Sequence, residues 1–222
     1  MSYLGSKGAS GAYQAIIANM PNHRIYIEAF LGTGVVFNKK PPAQHSIGVE
    51  LDEITLSDFK PAHSIEVFNQ CFFRFLDEFE FTDSEHTLIY ADPPYLPETR
   101  TSSKRYRKEF DIDDHIALLD RFNTLSESGV KIMISGYPSK LYDQILKGWR
   151  TYTFNVMTRG GVRTERLWMN YAADSAYWTT YAGKNFTDRQ RIGRKAERWA
   201  KNFQAMEAGE QLAILSAMLE QT

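Results

Sequence analysis

A carboxylate, two prolines and an aromatic ring stand together at Asp92-Pro93-Pro94-Tyr95, directly after the apolar run 87–91. A short apolar run bounded by turn residues is typical of a buried strand, so the tetrapeptide is predicted to lie where that strand ends. Ligands of open α/β sheets bind at this edge. A carboxylate acceptor, carbonyls on stiff backbone and a stacking ring suit a flat ring that carries an amine, such as adenine. Asp-Pro and Pro-Pro also occur in ordinary turns, and that interpretation stays open for the tetrapeptide alone.

Two glycines and an acid form a second group with ligand-binding chemistry. Gly32 and Gly34 follow the first predicted strand, where glycine lets the backbone approach a ligand closely. Glu50 ends the second predicted strand, and an acid there can accept hydrogen bonds from both hydroxyls of a ribose. The third glycine of the dinucleotide-binding pattern is missing, which disfavours a pyrophosphate cofactor such as NAD. A nucleoside without phosphate fits better, and S-adenosylmethionine is the common one.

The amino-terminal residues Tyr3 and Lys7 are a third candidate. Tyr3 can lie against an adenine or a methionine portion, and Lys7 can pair with a free carboxylate. A frayed terminus with a solvated lysine is the alternative. We predict no metal site.

Predicted strands alternate with predicted helices along most of the chain. Strands are predicted at 24–28, 46–50, 65–68, 87–91 and 130–135, and helices at 35–40, 71–79, 111–129 and 141–146. This alternation predicts a doubly wound, Rossmann-like α/β sheet of parallel strands. The runs 151–157 and 163–171 predict an antiparallel hairpin at the edge of that sheet. We expect a catalytic domain at 1–182 and a carboxyl-terminal basic helical extension at 183–222 packed on it.

The composition fits one α/β domain with a small appendage. The chain has 222 residues, of which 43% are hydrophobic, enough for a sizeable core. A single cysteine, Cys71, excludes an internal disulfide and fits a reducing compartment. The sequence shows neither a signal peptide nor an apolar run of the roughly 20 residues that a membrane span needs. We therefore expect a cytoplasmic protein without a membrane partner.

A formal net charge of −1 conceals a strong segregation of charge along the chain. Residues 100–109 hold five basic side chains and one acid, and residues 184–201 hold seven basic side chains and two acids. Basic clusters beside a predicted base-binding loop favour a polyanion such as nucleic acid, although a solvated surface is the alternative for both. The side chains predicted to contact DNA are Arg100, Lys104, Arg105, Arg107, Arg159, Arg163 and Arg194.

Taken together, these motifs resemble those of the Dam-like (D12 class) DNA adenine-N6 methyltransferases. The shared motifs are Tyr3-Leu4-Gly5-Ser6-Lys7, Phe30-Leu31-Gly32-Thr33-Gly34, Glu50, Asp92-Pro93-Pro94-Tyr95, Ser135-Gly136-Tyr137, 158–165 and 167–170. The resemblance implies S-adenosylmethionine as the methyl donor and a flipped adenine of double-stranded DNA as the acceptor. The catalytic residues that it implies are Asp92, Pro93, Pro94 and Tyr95. The predicted cofactor-binding residues are Tyr3, Lys7, Glu28, Phe30, Gly32, Gly34, Glu50 and Asp92.

The chain departs from the family pattern at the predicted cofactor pocket. Glu50 stands where an aspartate is common, so Asp52 is a second candidate for the ribose hydroxyls. Cys71 stands where another aspartate is common near the cofactor adenine, so one side-chain hydrogen bond is lost there. Ala29 replaces a frequent proline, which changes the stiffness of the loop.

The resemblance implies that Asp92 and the carbonyl of Pro93 accept the two hydrogens of the adenine amine while Tyr95 stacks on the base. Only residues 80–86 separate the helix at 71–79 from the strand that follows it. This connection is too short for a large target-recognition insert, so we predict a short or relaxed sequence preference. The alternatives are methylation of cytosine N4, methylation of an RNA adenine, and a degenerate, non-catalytic DNA-binding protein of the same fold.

Overall fold

The computed structural model describes residues 7, 11–99, 110–158, 161–173 and 186–219. The chain forms two compact units, Met1–Tyr177 and Trp178–Thr222.

The first unit is built on one sheet of seven strands. The strands are β1 (Ile25–Ala29), β2 (His45–Val49), β3 (Glu66–Phe68), β4 (Thr87–Ala91), β5 (Lys131–Gly136), β6 (Arg150–Thr158) and β7 (Gly161–Met169), in the order β3-β2-β1-β4-β5-β7-β6. Strands β1 to β5 pair in parallel, and β7 runs antiparallel to both β5 and β6. The predicted Rossmann-like sheet with an antiparallel edge hairpin is therefore confirmed. The strand order reverses between β1 and β4, which is where ligands bind in such sheets.

Helices of the first unit fill most of the connections between strands. They are α1 (Ala12–Ala18), α2 (Val35–Lys39), α3 (Glu53–Asp58), α4 (Phe72–Glu78), α5 (Ile112–Ser126) and α6 (Lys140–Ile145). The helices α1 and α3 were not predicted, because both are short and neither shows a clear apolar period. Asp111 caps α5 as its acidic start predicts: its Oδ1 accepts a hydrogen bond from the Asp114 amide at 2.8 Å, and the Asp114 carboxylate accepts one from the Asp111 amide at 3.1 Å.

The core of the first unit lies along the parallel strands. All five residues of β4 are buried, as are four of the five in β1 and in β2, which explains why these strands read as continuous apolar runs. Phenylalanines of α4 and α5 pack on them, with Phe72 and Phe122 rings 6.0 Å apart. Burial of each such side chain contributes roughly 1.5–3 kcal/mol relative to exposure.

The second unit contains α7 (Phe186–Gln204) and α8 (Ala208–Leu219). The predicted carboxyl-terminal helix corresponds to α7, whereas α8 was not predicted. Arg194 is exposed on α7 and donates a hydrogen bond to Gln190 at 3.2 Å. Across the described residues of both units, no helix combines the length and the apolar character that crossing a bilayer requires.

Candidate active site

Four neighbouring strands deliver the predicted site residues to one edge of the sheet. The register pairs Ala29 of β1 with Ala91 of β4, and Ala91 with Ile134 of β5, so these strands end at the same level. Asp92 begins the segment after β4, and Glu50 begins the segment after β2. The sheet therefore brings together two groups of residues that lie about forty positions apart in the sequence.

A buried charge cluster surrounds Lys7 at this edge. The Lys7 ammonium lies 2.8 Å from Oδ1 of Asp92 and 3.4 Å from Oε2 of Glu165, which belongs to β7. It also donates a hydrogen bond to the hydroxyl of Tyr95. The sequence led us to expect a free carboxylate as the partner of Lys7, and the structure supplies two carboxylates of the protein itself.

The two oxygens of Asp92 differ in their surroundings. Oδ1 receives the Lys7 ammonium and a hydrogen bond from the hydroxyl of Ser135 at 2.8 Å. Among the described residues, no side chain or amide donates a hydrogen bond to Oδ2. The side chain keeps 18% of its surface exposed. Asp92 is thus fixed through one oxygen and offers the other as an acceptor.

Tyr95 is held at both its hydroxyl and its ring. The hydroxyl accepts from Lys7 and donates to Oε1 of Glu165 at 3.3 Å. The ring meets the ring of Tyr137 edge-on with centroids 4.5 Å apart. Tyr137 is in turn bound by Arg163, which donates a hydrogen bond to its hydroxyl at 2.9 Å. This chain of contacts joins the tip of the hairpin to the predicted catalytic loop.

Burial and neighbouring charge act against each other in this cluster. Burial raises the pKa of Asp92, the Lys7 ammonium lowers it and Glu165 raises it again, so the pKa lies above its ordinary value. Burial alone would lower the pKa of Lys7, but the carboxylates of Asp92 and Glu165 outweigh that effect and raise it. Lys7 therefore stays positively charged at neutral pH.

The glycine loop after β1 requires left-handed backbone at three positions. Gly32 has a φ of 54° and Gly34 a φ of 61°, both in the region that favours glycine. A Cβ added to Gly34 would lie 2.2 Å from the ring of Phe59. Phe30 adopts a φ of 58°, which is unusual for a residue with a side chain, and its ring packs between Phe72 and Phe110 at centroid distances of 5.5 and 5.3 Å.

Glu50 joins the two loops that border the predicted cofactor pocket. One carboxylate oxygen accepts a hydrogen bond from the Gly32 amide at 2.7 Å, and the other accepts one from the Asp52 amide at 2.8 Å. A carboxylate has about four lone-pair sites, so acceptor capacity remains. The side chain of Asp52 caps α3 through the Ile54 amide at 3.3 Å and the Thr55 hydroxyl at 2.6 Å.

Glu28 is a second buried carboxyl, at the base of the glycine loop. The hydroxyl of Tyr26 donates a hydrogen bond to it at 2.7 Å, and only 3% of the residue is exposed. Burial raises the pKa of Glu28 to about 8, although the Tyr26 hydrogen bond and the charge of Lys40 oppose this. Its predicted contact with the cofactor stays a prediction.

Some of the predicted site residues lie outside the described part of the chain, namely Tyr3, Arg100, Lys104, Arg105, Arg107 and Arg159. The sequence-based site also omitted Ser135 and Tyr137, although both belong to a motif that supports the resemblance. Glu165 was missed as a site residue, because its role depends on where the hairpin lies relative to Lys7 and Tyr95.

The chain matches a known protein family over about half of its length. Residues 49–164 match the model of the family described as D12 class N6 adenine-specific DNA methyltransferase. The type II methyltransferase M1.LlaDCHI of Lactococcus lactis subsp. cremoris is 27% identical over 50% of this chain and 38% of its own length. The type II methyltransferase M.MjaIII of Methanocaldococcus jannaschii is 36% identical over 32% of this chain and 25% of its own length. The chain thus matches well under half the length of these curated relatives.

The chain also aligns with solved structures of other proteins at low sequence identity. TrmN from Thermus thermophilus aligns with 16% identity and a TM-score of 0.48 over 71% of this chain and 47% of its own. An S-adenosylmethionine-dependent methyltransferase from Agrobacterium tumefaciens aligns with 14% identity and a TM-score of 0.46 over 72% of this chain and 60% of its own.

Proposed function

Because the chain belongs to the D12 class of N6 adenine-specific DNA methyltransferases, we propose that it transfers a methyl group from S-adenosylmethionine to the N6 amine of an adenine in DNA. The observation that carries this proposal is the arrangement of Asp92. Its Oδ1 is bound by Lys7 and Ser135, while its Oδ2 receives no hydrogen bond from the described residues and can accept one from an incoming amine.

For methyl transfer, the protein must make the N6 amine of adenine a better nucleophile. The lone pair of an exocyclic amine is delocalised into the adenine ring, so the nitrogen attacks poorly while it is planar. Acceptance of its two hydrogens by Asp92 and by the carbonyl of Pro93 would draw it toward a tetrahedral geometry. As the new C–N bond forms, the bond from the methyl carbon to the donor sulfur would break and its electron pair would stay on the sulfur. Positive charge would then develop on the nitrogen, and one N–H proton would pass to Asp92. Fixed negative charge at that place stabilises the transition state.

The cofactor S-adenosylmethionine supplies the methyl group on a positively charged sulfur. The residues described at the edge of β1 and β2 fit a nucleoside of this kind. Gly32 and Gly34 adopt left-handed backbone and carry no side chain of their own, which lets a ligand approach the backbone of this turn. Glu50 retains acceptor capacity beyond its two amide hydrogen bonds, which suits the hydroxyls of a ribose.

The proposed partner is double-stranded DNA with the target adenine flipped out of the stack. Inside a duplex the adenine amine is paired, so Asp92 and the Pro93 carbonyl could not both bind its hydrogens. Arg163 at the hairpin and Arg194 on α7 are proposed phosphate or base contacts. The short connection between α4 and β4 supports the proposal of a short or relaxed recognition sequence.

A methyl-transfer assay with tritiated cofactor tests the proposal. Plasmid DNA, total RNA and DNA from which adenine is absent are offered in parallel, and methylated bases are identified by mass spectrometry. We expect N6-methyladenine in DNA alone, and the Asp92→Ala protein should lose at least roughly 10²-fold in rate. Label in cytosine or in RNA would favour the corresponding alternative substrate. Cofactor binding in calorimetry without transfer to any of them would indicate a non-catalytic protein.

A further inference from the structure

Glu165 is the member of the charge cluster that comes from the antiparallel hairpin. The register pairs Gly136, the last residue of β5, with Arg166 of β7. Because β7 runs antiparallel to β5, Glu165 lies one position beyond the end of β5, on the side where the site is. This placement explains how a hairpin residue reaches Lys7 and Tyr95 across a large separation in sequence.

The carboxyl of Glu165 is almost enclosed by the protein. Only 6% of the residue is exposed, and its described contacts are the Tyr95 hydroxyl at 3.3 Å and the Lys7 ammonium at 3.4 Å. The Lys7 contact is an ion pair whose geometry is not that of a hydrogen bond, so Oε2 has no hydrogen-bond donor among the described residues. A buried carboxylate that receives so few hydrogen bonds lowers the stability of the fold. An apolar side chain at this position would stabilise the fold more.

We propose that Glu165 is a positioning residue of the methyl-transfer site, which keeps the Lys7 ammonium on the Oδ1 side of Asp92 and holds the hydroxyl of Tyr95. This inference rests on the proposed function. Lys7 shared between two carboxylates leaves the cluster with an excess of negative charge. Without Glu165, the ammonium would pair with Asp92 alone and could move toward Oδ2, the oxygen proposed to accept the amine.

The pH dependence of the rate reports this role. The titratable groups that act on Asp92 or lie around it are Lys7, Glu28, Tyr90, Tyr142 and Glu165. Of these, Glu165 raises the pKa of Asp92 by its charge. Removing that charge lowers the pKa, so Asp92 remains ionised to lower pH. The acidic limb of the rate profile should therefore move to lower pH in Glu165→Gln, which a purely structural role would not produce.

The experiment compares three substitutions in the full chain. Glu165→Gln keeps the shape and removes the charge, and Glu165→Asp keeps the charge and shortens the side chain. Glu66→Gln makes the same chemical change at an exposed glutamate on β3, at the opposite part of the sheet. Single-turnover rates are measured from pH 5 to pH 9 with saturating S-adenosylmethionine and plasmid DNA, a range of about four pH units around neutrality. Cofactor affinity is measured by calorimetry.

For Glu165→Gln we expect a rate lower by about tenfold or more at neutral pH, an acidic limb shifted to lower pH, and a cofactor affinity within about twofold of the original. Glu165→Asp should be slower with an unshifted limb, and Glu66→Gln should match the original protein. Glu165→Gln with an unchanged rate and profile would overturn the inference.

The Glu165→Asp protein decides the matter if Glu165→Gln does not fold, because a rate equal to that of the original protein would also overturn the positioning role. A failure of the proposed function looks different. In that case the original protein itself transfers no methyl group to DNA adenine, whatever residue 165 is.

Discussion

The glycine loop and the charge cluster lie at the same edge of the sheet but are held together in different ways. Glu50 binds backbone amides of Gly32 and Asp52, at most 18 residues away in sequence. Lys7 binds side chains that are 85 residues away or more, those of Asp92, Tyr95 and Glu165. Backbone amides survive substitution of their own side chains, whereas every contact in the cluster depends on a particular residue. Local damage should therefore weaken the loop gradually and disable the cluster abruptly.

The largest expected effect is that of Lys7→Met. The substitution removes the ammonium that lowers the pKa of Asp92, so this pKa rises and Asp92 becomes protonated at higher pH. We expect single-turnover methylation to fall roughly 10³-fold at neutral pH, with an acidic limb moved to higher pH. The exposed Lys140→Met is the matched control. If Lys7→Met and Lys140→Met methylate at equal rates, the charge cluster is no more sensitive to substitution than the glycine loop.

A second prediction concerns Glu28, which is buried like Asp92 but not in contact with the Lys7 ammonium. Its pKa rises from 4.5 to about 8 on folding, so the folded protein retains a proton that the unfolded chain releases between those values. The stability from Glu28 is present below pH 4.5 and is lost as pH rises toward 8. Glu28→Gln should therefore gain roughly 4 kcal/mol over the original protein between pH 5 and pH 8.5, as measured by urea unfolding. This prediction would be contradicted if the free energies of unfolding of the two proteins differed by the same amount at every pH.

Gly34→Ala tests the backbone of the loop. The added Cβ meets the Phe59 ring at 2.2 Å, and the left-handed φ of 61° is unfavourable for alanine. We expect a loss of about 2 kcal/mol in the free energy of unfolding. Gly193→Ala on α7 is the control, because its Cβ would meet nothing within 4 Å, and helical alanine should be neutral or stabilising. A neutral Gly34→Ala would mean that the loop adapts easily.

The smallest expected effect is that of Glu50→Gln. One carboxylate oxygen becomes an amino group that faces a backbone amide, so one of its two hydrogen bonds is lost. We expect the cofactor to bind about tenfold more weakly, with a rate at saturation that changes less than about twofold. Calorimetry and single-turnover kinetics separate these quantities, and exposed Glu53→Gln on α3 serves as the control. A large fall in the rate at saturating cofactor would contradict this, because it would mean that Glu50 affects the methyl-transfer step as the residues of the charge cluster do.

The same contrast explains what the sequence could predict. The strands around Asp92 and Glu50 were recognisable because buried parallel strands are continuous apolar runs, and strand ends are where ligands bind. Contacts such as that of Tyr95 with Glu165 depend on the register between β5 and β7, which no local pattern encodes. The helix α3 was missed because its start depends on the cap by Asp52 more than on apolar periodicity.

The hydroxyl that binds Asp92 from the interior has a consequence for turnover. Ser135 donates to Asp92, and its oxygen also lies 2.9 Å from the hydroxyl of Tyr90, a fully buried residue of β4. The hydrogen bonds through Ser135 and Tyr90 thus run from Asp92 into the interior of the sheet. A proton received by Asp92 would therefore leave through the exposed part of its side chain, where the base is proposed to bind. We therefore expect the methylated base to depart before Asp92 is ionised again, which orders the steps that end each catalytic cycle.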